Sequence, residues 1–308
     1  MFTQALSFQQ NRNLSAVQLA TANQDTLKYI SSSAAIKGGY FEVKEVSASA
    51  NVNQLLVIND SDQLVFMMDG DILAGAKQNR VLNTSILLAP MSKTVIPVSC
   101  VEQGRWHFTS DRFSGTDYSA PSSIRAEKAH RVKENLDQMR GHVSDQGEVW
   151  DHVSFFQTAS AVHSPTSNLS DVYDNAAVDI DDFIEHFWPH PRANGVAIFV
   201  GRDLLSLDIF NRKDIYAEYF RKLLRGVALE AFYMNQSKLS LEEAEATYRT
   251  LDFLDRYDVV EKRDHPGVGI GVEQRFESGD MTGFDLRYEN QMVHLTALAL
   301  RERRRGAA

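Results

Sequence analysis

The sequence predicts an α+β protein with a β-rich N-terminal lobe, built as an antiparallel sandwich or curved sheet, and a mixed, helix-covered C-terminal lobe. Two observations predict this class. Short strand-like segments separated by turn residues fill residues 41–108, and amphipathic helical patterns follow from residue 126. The composition changes near residue 110, so we place a β-rich lobe at residues 1–112 and an α/β lobe at residues 113–308.

The composition predicts a soluble cytoplasmic protein. Hydrophobic residues make up 43% of the 308 positions, which supplies a sizeable core. The formal charge of −9 argues against nucleic-acid binding, because neutralising phosphates needs a basic face. Cys100 is the only cysteine, which excludes an intrachain disulfide and fits a reducing compartment. The sequence shows no signal peptide and no apolar run near the ~18 residues of a membrane span, so we expect no membrane contact.

Within the N-terminal lobe, the strand pattern is clearest around two turns. Residues 55–58 and 64–67 are apolar runs on either side of a polar turn. Residues 81–89 form the next predicted strand, and residues 94–101 return after a turn at residues 90–93. If these two strands pair as a hairpin, the segments at their outer ends meet at one edge of the sheet.

The C-terminal lobe begins with a polar segment, residues 110–123, which predicts a linker or an ordered loop. Residues 164–170 form a second break. Ser240 and Glu243 have the spacing of a capping box, which predicts the start of the last helix. The predicted helices span residues 126–139, 147–162, 179–187, 215–232 and about 240–257, and strands are predicted at residues 196–200 and 205–209, with a strand meander at residues 269–300.

The most concentrated polar segment is residues 70–80, GDILAGAKQNR. It joins two predicted strands, where glycines and side-chain donors could wrap an anionic or carbonyl-bearing ligand. It is not a phosphate-binding loop of the Walker type, because Ala76 separates Gly75 from Lys77 and neither Ser nor Thr follows. The alternative is a long β connection whose Lys and Arg side chains are solvated.

A second polar segment, residues 97–106, contains a carboxylate in an unusual position. By strand alternation Glu102 continues the face of Val98 and Cys100, which is costly unless a cation or donors meet it. The alternative to a ligand site is a structural ion pair at the strand end. Cys100 lies among aliphatic residues and is interpreted as core, and Trp106 either stacks on a ligand or edges the core. The nearest cations are Lys77, Arg80 and Arg105.

Three other segments resemble metal, calcium or dinucleotide motifs but lack features that those motifs require. His186 and His190 have helical spacing, but prolines interrupt any helix there, so no metal is predicted. The acidic residues 171–185 lack the features of a calcium loop. The glycines of residues 267–271 precede a strand pattern instead of a helix, so no dinucleotide or other cofactor is predicted.

Five segments together resemble the ADP-ribosylglycohydrolase- and rhodanese-phosphatase-associated protein family. They are GDILAGAKQNRVLNTSILL from Gly70, TVIPVSCVEQGRW from Thr94, GEVWDHVSFF from Gly147, SPT from Ser164 and GVAIFVGRDLLSLDIF from Gly195. The resemblance covers at least residues 43–231. It implies an accessory role in the metabolism of ADP-ribose or related NAD-derived nucleotides, with a possible protein partner from that metabolism. It carries over no catalytic residues.

We therefore expect a small-molecule nucleotide site at the family's motif positions. Lys77, Arg80 and Arg105 would neutralise a diphosphate, Gln78, Asn79 and Asn83 would bond ribose or base, Trp106 would stack, and Gly70, Gly75 and Gly104 would shape the loops. Glu102 would hold a ribose hydroxyl or orient an arginine. One alternative is a hydrolase with Glu102 as general base and Asp71 as second carboxylate. The other is an interaction module in which the motif residues form a buried network or dock a partner enzyme.

Overall fold

The computed structural model describes residues 2–22, 26–47, 51–233 and 241–300. The prediction of an α+β class rich in β structure is confirmed, with three sheets. The strands are β1 Thr3–Asn11, β2 Leu14–Thr21, β3 Tyr29–Ser31, β4 Phe41–Glu45, β5 Gln54–Asn59, β6 Leu64–Met67, β7 Asp71–Gly75, β8 Arg80–Leu82, β9 Ile86–Leu88, β10 Ser92–Cys100, β11 Phe113–Ser119, β12 Gly195–Val200, β13 Asp203–Phe210, β14 Lys262–Pro266, β15 Val272–Ser278, β16 Met281–Tyr288 and β17 Gln291–Ala299. The helices are α1 Ser32–Lys37, α2 Ser122–Asp137, α3 Gln146–Ser160, α4 Leu169–Asn175, α5 Ala177–Ile184, α6 Lys213–Tyr233 and α7 Glu243–Val259.

The largest sheet has eight antiparallel strands in the order β1-β2-β12-β13-β17-β16-β15-β14. It contains the predicted C-terminal meander together with two N-terminal strands that the sequence pattern did not predict. Most residues of β2 are buried, so its sequence lacks the alternation that marks a half-buried strand. The division of the chain at residue 112 stays a prediction.

The sheet that carries the two motif segments has six strands in the order β11-β7-β8-β10-β5-β4. A third sheet has the order β3-β6-β9, and its β3–β6 pair is parallel. The single strand predicted at residues 81–89 is wrong, since β8 and β9 belong to different sheets. Between β8 and β9, the side chains of Thr84 and Ser85 hydrogen-bond to residues of β15 and β17. These bonds draw the chain away from the six-stranded sheet.

The linker or loop predicted at residues 110–123 is also wrong in part. It contains β11, which pairs antiparallel with β7 at the edge of the six-stranded sheet, and the first two residues of α2. Only two of the seven residues of β11 are buried, which explains its polar sequence. Edge strands tolerate such residues.

The five predicted helices lie close to their predicted positions, and α1 and α4 are additional. The buried side of α6 contributes Tyr216, Phe220 and Leu224 to the largest apolar cluster. In α7 the predicted capping box is wrong, because Glu242 is the N-cap and Glu243 is the first helical residue. Ser240 lies outside the described residues. No helix in the described ranges is long and apolar enough to span a membrane.

Candidate functional site

The two motif segments converge at one end of the six-stranded sheet. Arg80, at the start of β8, pairs with Cys100, at the end of β10. Residues 76–79 join β7 to β8, and residues 101–112 lead from β10 to β11, which returns beside β7. The expected antiparallel pairing is therefore confirmed for β8 and β10, and it brings both segments to the same edge.

Glu102 and Arg105 form a buried ion pair within this cluster. Arg105 donates from Nε to Glu102 Oε1 at 2.8 Å and from Nη2 to Oε2 at 2.6 Å. Glu102 also accepts from the Asn79 backbone N–H at 3.0 Å and from Thr166 Oγ1 at 3.0 Å. Burial alone would raise the pKa of Glu102, but the hydrogen bonds from Arg105 and the Asn79 N–H hold it below its ordinary value. Both oxygens are engaged, so this carboxylate is a weak general base.

Arg105 also donates hydrogen bonds to backbone carbonyls of the surrounding loops. Its Nη1 donates to Ala76 O at 2.6 Å and to Thr109 Oγ1 at 3.0 Å, and its Nη2 lies 3.3 Å from Gly75 O. All three guanidinium nitrogens thus have partners inside the protein, and the residue is 8% exposed. Arg105 positions the loops that carry the motif.

The predicted loop glycines occupy restricted positions. Gly75 has a φ of 126°, and an added Cβ would lie 2.5 Å from Ser110 Oγ. At Gly104 an added Cβ would lie 2.9 Å from Thr166 Cα. These two glycines allow the segments of the cluster to approach each other. Gly70 also has a positive φ, 80°, but it precedes β7 and lies at the opposite end of that strand.

Gln78 and Asn79 bond to the protein as well. Asn79 Nδ2 donates to Asn168 Oδ1 and to Ser170 Oγ, each at 3.1 Å, which ties the start of α4 to the motif. Gln78 Nε2 donates to Gln103 O at 3.1 Å. The sequence pattern missed Asn168, whose only local signal is its position as the N-cap of α4.

Arg80 is bonded less completely. Its side chain is fully buried, and Nη1 donates to Gln78 Oε1 at 3.2 Å. Its Nε and Nη2 have no hydrogen-bond partner among the described residues, and a carboxylate oxygen of Glu45 lies 4.0 Å from Nη2. Burial lowers the pKa of Arg80 and raises the pKa of the Cys100 thiol, whose Sγ lies 3.7 Å from Nη1. Two donors of a buried cation are therefore left without an acceptor.

An aromatic surface lies over this cation. The ring centroid of Trp106 is 6.0 Å from Arg80 Cζ, and Lys77 Nζ lies 5.3 Å from Trp106 and 5.1 Å from Phe108. Trp106 is 46% exposed and Phe108 50% exposed, so both rings reach solvent. The sequence pattern did not single out Phe108.

Two more predicted site residues, besides Gly70, lie outside the cluster. Asp71, at the far end of β7, is buried, and its Oδ1 pairs with Lys222 Nζ at 2.6 Å. It is therefore at the opposite end of the strand from the Glu102 network. Asn83 accepts from Ser99 Oγ at 2.8 Å and donates to His142 O at 3.1 Å, which places it beside a separate groove.

A buried polar network that the sequence pattern missed joins the segment between β8 and β9 to the eight-stranded sheet and to α2. Ser85 Oγ lies 2.9 Å from His294 Nδ1, and His294 Nε2 lies 3.4 Å from Asp208 Oδ1. Burial alone would raise the pKa of Asp208, but Arg125, which donates to both its oxygens, holds it well below the ordinary range. This Ser-His-Asp order resembles a nucleophile with its base. Ser85 is fully buried and accepts from the Asp69 N–H at 2.8 Å, so the network is structural.

The fold and the motif cluster define an α+β protein organised around a buried Glu–Arg network with an aromatic surface above it. The chain belongs to the family of the ARG and Rhodanese-Phosphatase-superfamily-associated Protein domain, whose family model matches residues 3–298. No curated protein and no solved structure matches the chain significantly. The family name records an association with ADP-ribosylglycohydrolase and rhodanese-phosphatase proteins, which is compatible with an accessory role. Across the described residues, no three His, Cys, Asp or Glu side chains are grouped as metal ligands.

Proposed function

We propose that this accessory protein binds ADP-ribose or a related NAD-derived nucleotide at the motif cluster, with Arg80 as the diphosphate-binding cation. The observation that carries the proposal is the pair of donors on a fully buried guanidinium, Nε and Nη2, that have no hydrogen-bond acceptor among the described residues. Burying a charge without its hydrogen bonds is costly, so a retained cation of this kind is best explained by an anion that completes it. The family's association with ADP-ribosylglycohydrolase proteins supports this class of nucleotide.

The chemistry of the neighbouring residues supports a nucleotide over a simple anion. Guanidinium forks match phosphate oxygens, and Arg80 has two adjacent nitrogens, Nε and Nη2, available for one phosphate. Trp106 is exposed and large enough to stack on adenine. Lys77, between Trp106 and Phe108, lies where it could meet the second phosphate. Because Trp106 lies over Arg80, binding requires its ring to move aside.

The residues first expected to act together therefore take different roles in this proposal. Arg80, Lys77 and Trp106 contact the ligand. Glu102 and Arg105, whose polar atoms are bonded within the protein, hold the loops. A hydrolase with Glu102 as general base gains no support from this geometry.

Calorimetric titration with ADP-ribose tests the proposal. Arg80→Gln and Trp106→Ala should each weaken binding by about 1–3 kcal/mol, the range for a hydrogen bond to a charged group or a base stack. Arg112→Gln is the matched control. Arg112 lies in the same loop as Trp106, but it is exposed and pairs with Glu42 at 2.8 Å. Unchanged affinity in both test variants, or no binding by the parent protein, would overturn the proposal.

A second candidate function is the docking of a partner enzyme through the same loop. The observation that favours it is the pair of exposed aromatic rings, Trp106 and Phe108, on a backbone fixed by Arg105. Aromatic anchors on a rigid support are typical of interface hot spots. Titration of a purified ADP-ribosylglycohydrolase into the parent protein and into Trp106→Ala/Phe108→Ala tests this candidate. Absence of binding by the parent protein contradicts it.

A further inference from the structure

A groove separate from the motif cluster has the size of a ligand site. Asn83, the residue after β8, lines the groove, whereas Arg80 is the first residue of that strand. The groove has a volume of about 590 Å³. Small-molecule sites occupy about 300–1,000 Å³. Its polar lining is Asn51, Asn53, Gln54, Asn83, Arg140, His142 and Ser144, and we call it the amide groove.

The lining has a distinctive chemistry. Four of its side chains are amides, each of which can donate and accept hydrogen bonds. Val95, Pro97 and Val268 add aliphatic surface. A guanidinium and an imidazole are present, and no carboxylate of the described residues lines the groove, although the whole chain has a formal charge of −9. This combination suits a ligand with several hydroxyl groups, an apolar C–H face and a negative charge.

One side of the groove is rigidly built. Asn83 is 2% exposed and connects Ser99 on β10 to the backbone of His142. His142 Nε2 lies 3.1 Å from Glu273 Oε1, and Glu273 is fully buried and held by Arg275 at 2.6 Å. Burial alone would raise the pKa of Glu273, but Arg275 and His142 hold it below its ordinary value. The imidazole is therefore fixed by a charged partner, which leaves Nδ1 as the ring nitrogen that Glu273 does not engage.

We propose that the amide groove binds a phosphorylated sugar. Arg140 is exposed and has no ion-pair partner among the described residues, so it can meet the phosphate. Asn51 Nδ2 donates to Gln54 Oε1 at 3.2 Å, which leaves the Asn53 side chain and Gln54 Nε2 to pair with adjacent hydroxyls. The aliphatic surface can pack on the C–H face of the ring. This site goes beyond the proposed nucleotide site, because none of the residues placed there lines the groove.

Calorimetric titration with ribose 5-phosphate tests the proposal, with ribose and inorganic phosphate titrated separately. The sugar phosphate should bind with a stoichiometry of one and more tightly than either fragment. Arg140→Ala should weaken ribose 5-phosphate binding about tenfold or more, since it removes a charged hydrogen bond. Asn53→Ala should weaken both ribose 5-phosphate and ribose. Both residues are exposed, so thermal melts should match the parent protein.

Two control variants test whether ribose 5-phosphate binds in the amide groove. Arg192→Ala removes another exposed arginine, outside the groove, and should leave binding unchanged. Arg112→Ala removes an exposed arginine that pairs with Glu42 outside the groove, and it should also leave ribose 5-phosphate binding unchanged. The proposal is overturned if ribose 5-phosphate does not bind at millimolar concentration. It is also overturned if inorganic phosphate binds equally well, or if neither Arg140→Ala nor Asn53→Ala weakens binding.

Discussion

Replacing Arg105 by alanine tests whether the Glu102–Arg105 pair is structural. Glu102 is 3% exposed, and the change removes its two hydrogen bonds from the guanidinium while leaving those from the Asn79 N–H and Thr166. Truncating one partner of a buried ion pair costs about 3–5 kcal/mol, because the remaining charge stays buried. At roughly 2 °C per kcal/mol for a chain of this size, the melting temperature should fall by about 6–10 °C.

Urea unfolding and scanning calorimetry measure this loss, with Arg112→Ala as the control. Arg112 is also in an ion pair, but its side chain is 66% exposed, so its loss should cost about 0–1 kcal/mol. The double variant Arg105→Ala/Glu102→Gln should lose less than Arg105→Ala alone, because no uncompensated carboxylate remains. If Arg105→Ala melts with the parent protein and loses ADP-ribose affinity, Arg105 belongs to the ligand site and the reasoning is refuted.

The remaining predictions concern two buried groups. Cys100→Ala should lower the free energy of unfolding by about 1 kcal/mol without changing ADP-ribose affinity; rapid labelling of the native thiol, together with loss of binding on this change, would contradict a packing role. Burial lowers the pKa of Lys128 to about 8, against about 10.4 in the unfolded chain. Between about pH 8 and pH 10 the unfolded state binds more protons at this group, so its contribution to stability rises with pH. Urea unfolding across that range should show that the free energy of unfolding rises less with pH in Lys128→Met than in the parent protein. The same dependence on pH in both proteins would contradict the lowered pKa of Lys128.

The convergence of the motif segments could be predicted because its signals are local. The chain reverses direction between β8 and β10, and these strands pair antiparallel although the intervening β9 belongs to another sheet, so Arg80 still lies opposite Cys100. The cation that meets Glu102 was also within reach of sequence reasoning, since Arg105 is three positions away and lies in the same segment. Short-range spacing limits the possible partners.

The rest of the cluster could not be predicted because its contacts come from distant segments. Glu45, Thr166 and Asn168 are ordinary polar residues in their own surroundings, and only the tertiary fold brings them to the motif. The strand predicted at residues 81–89 failed for the same reason. Thr84 donates a hydrogen bond to Glu273, which is far along the chain. This contact interrupts the strand that the alternation of side chains over residues 81–89 predicted.

Arg80 and Arg105 show why burial alone does not assign a role to a charged motif residue. Both are buried, and the sequence predicted one shared role for them. Arg105 donates from every guanidinium nitrogen to acceptors in the protein, so a ligand could bind it only by breaking those bonds. Arg80 has two nitrogens without hydrogen-bond acceptors among the described residues, so an anion could bind them without breaking a hydrogen bond of Arg80. In the proposed site Arg80 therefore binds the diphosphate, and Arg105 contributes by fixing the loop that carries Trp106.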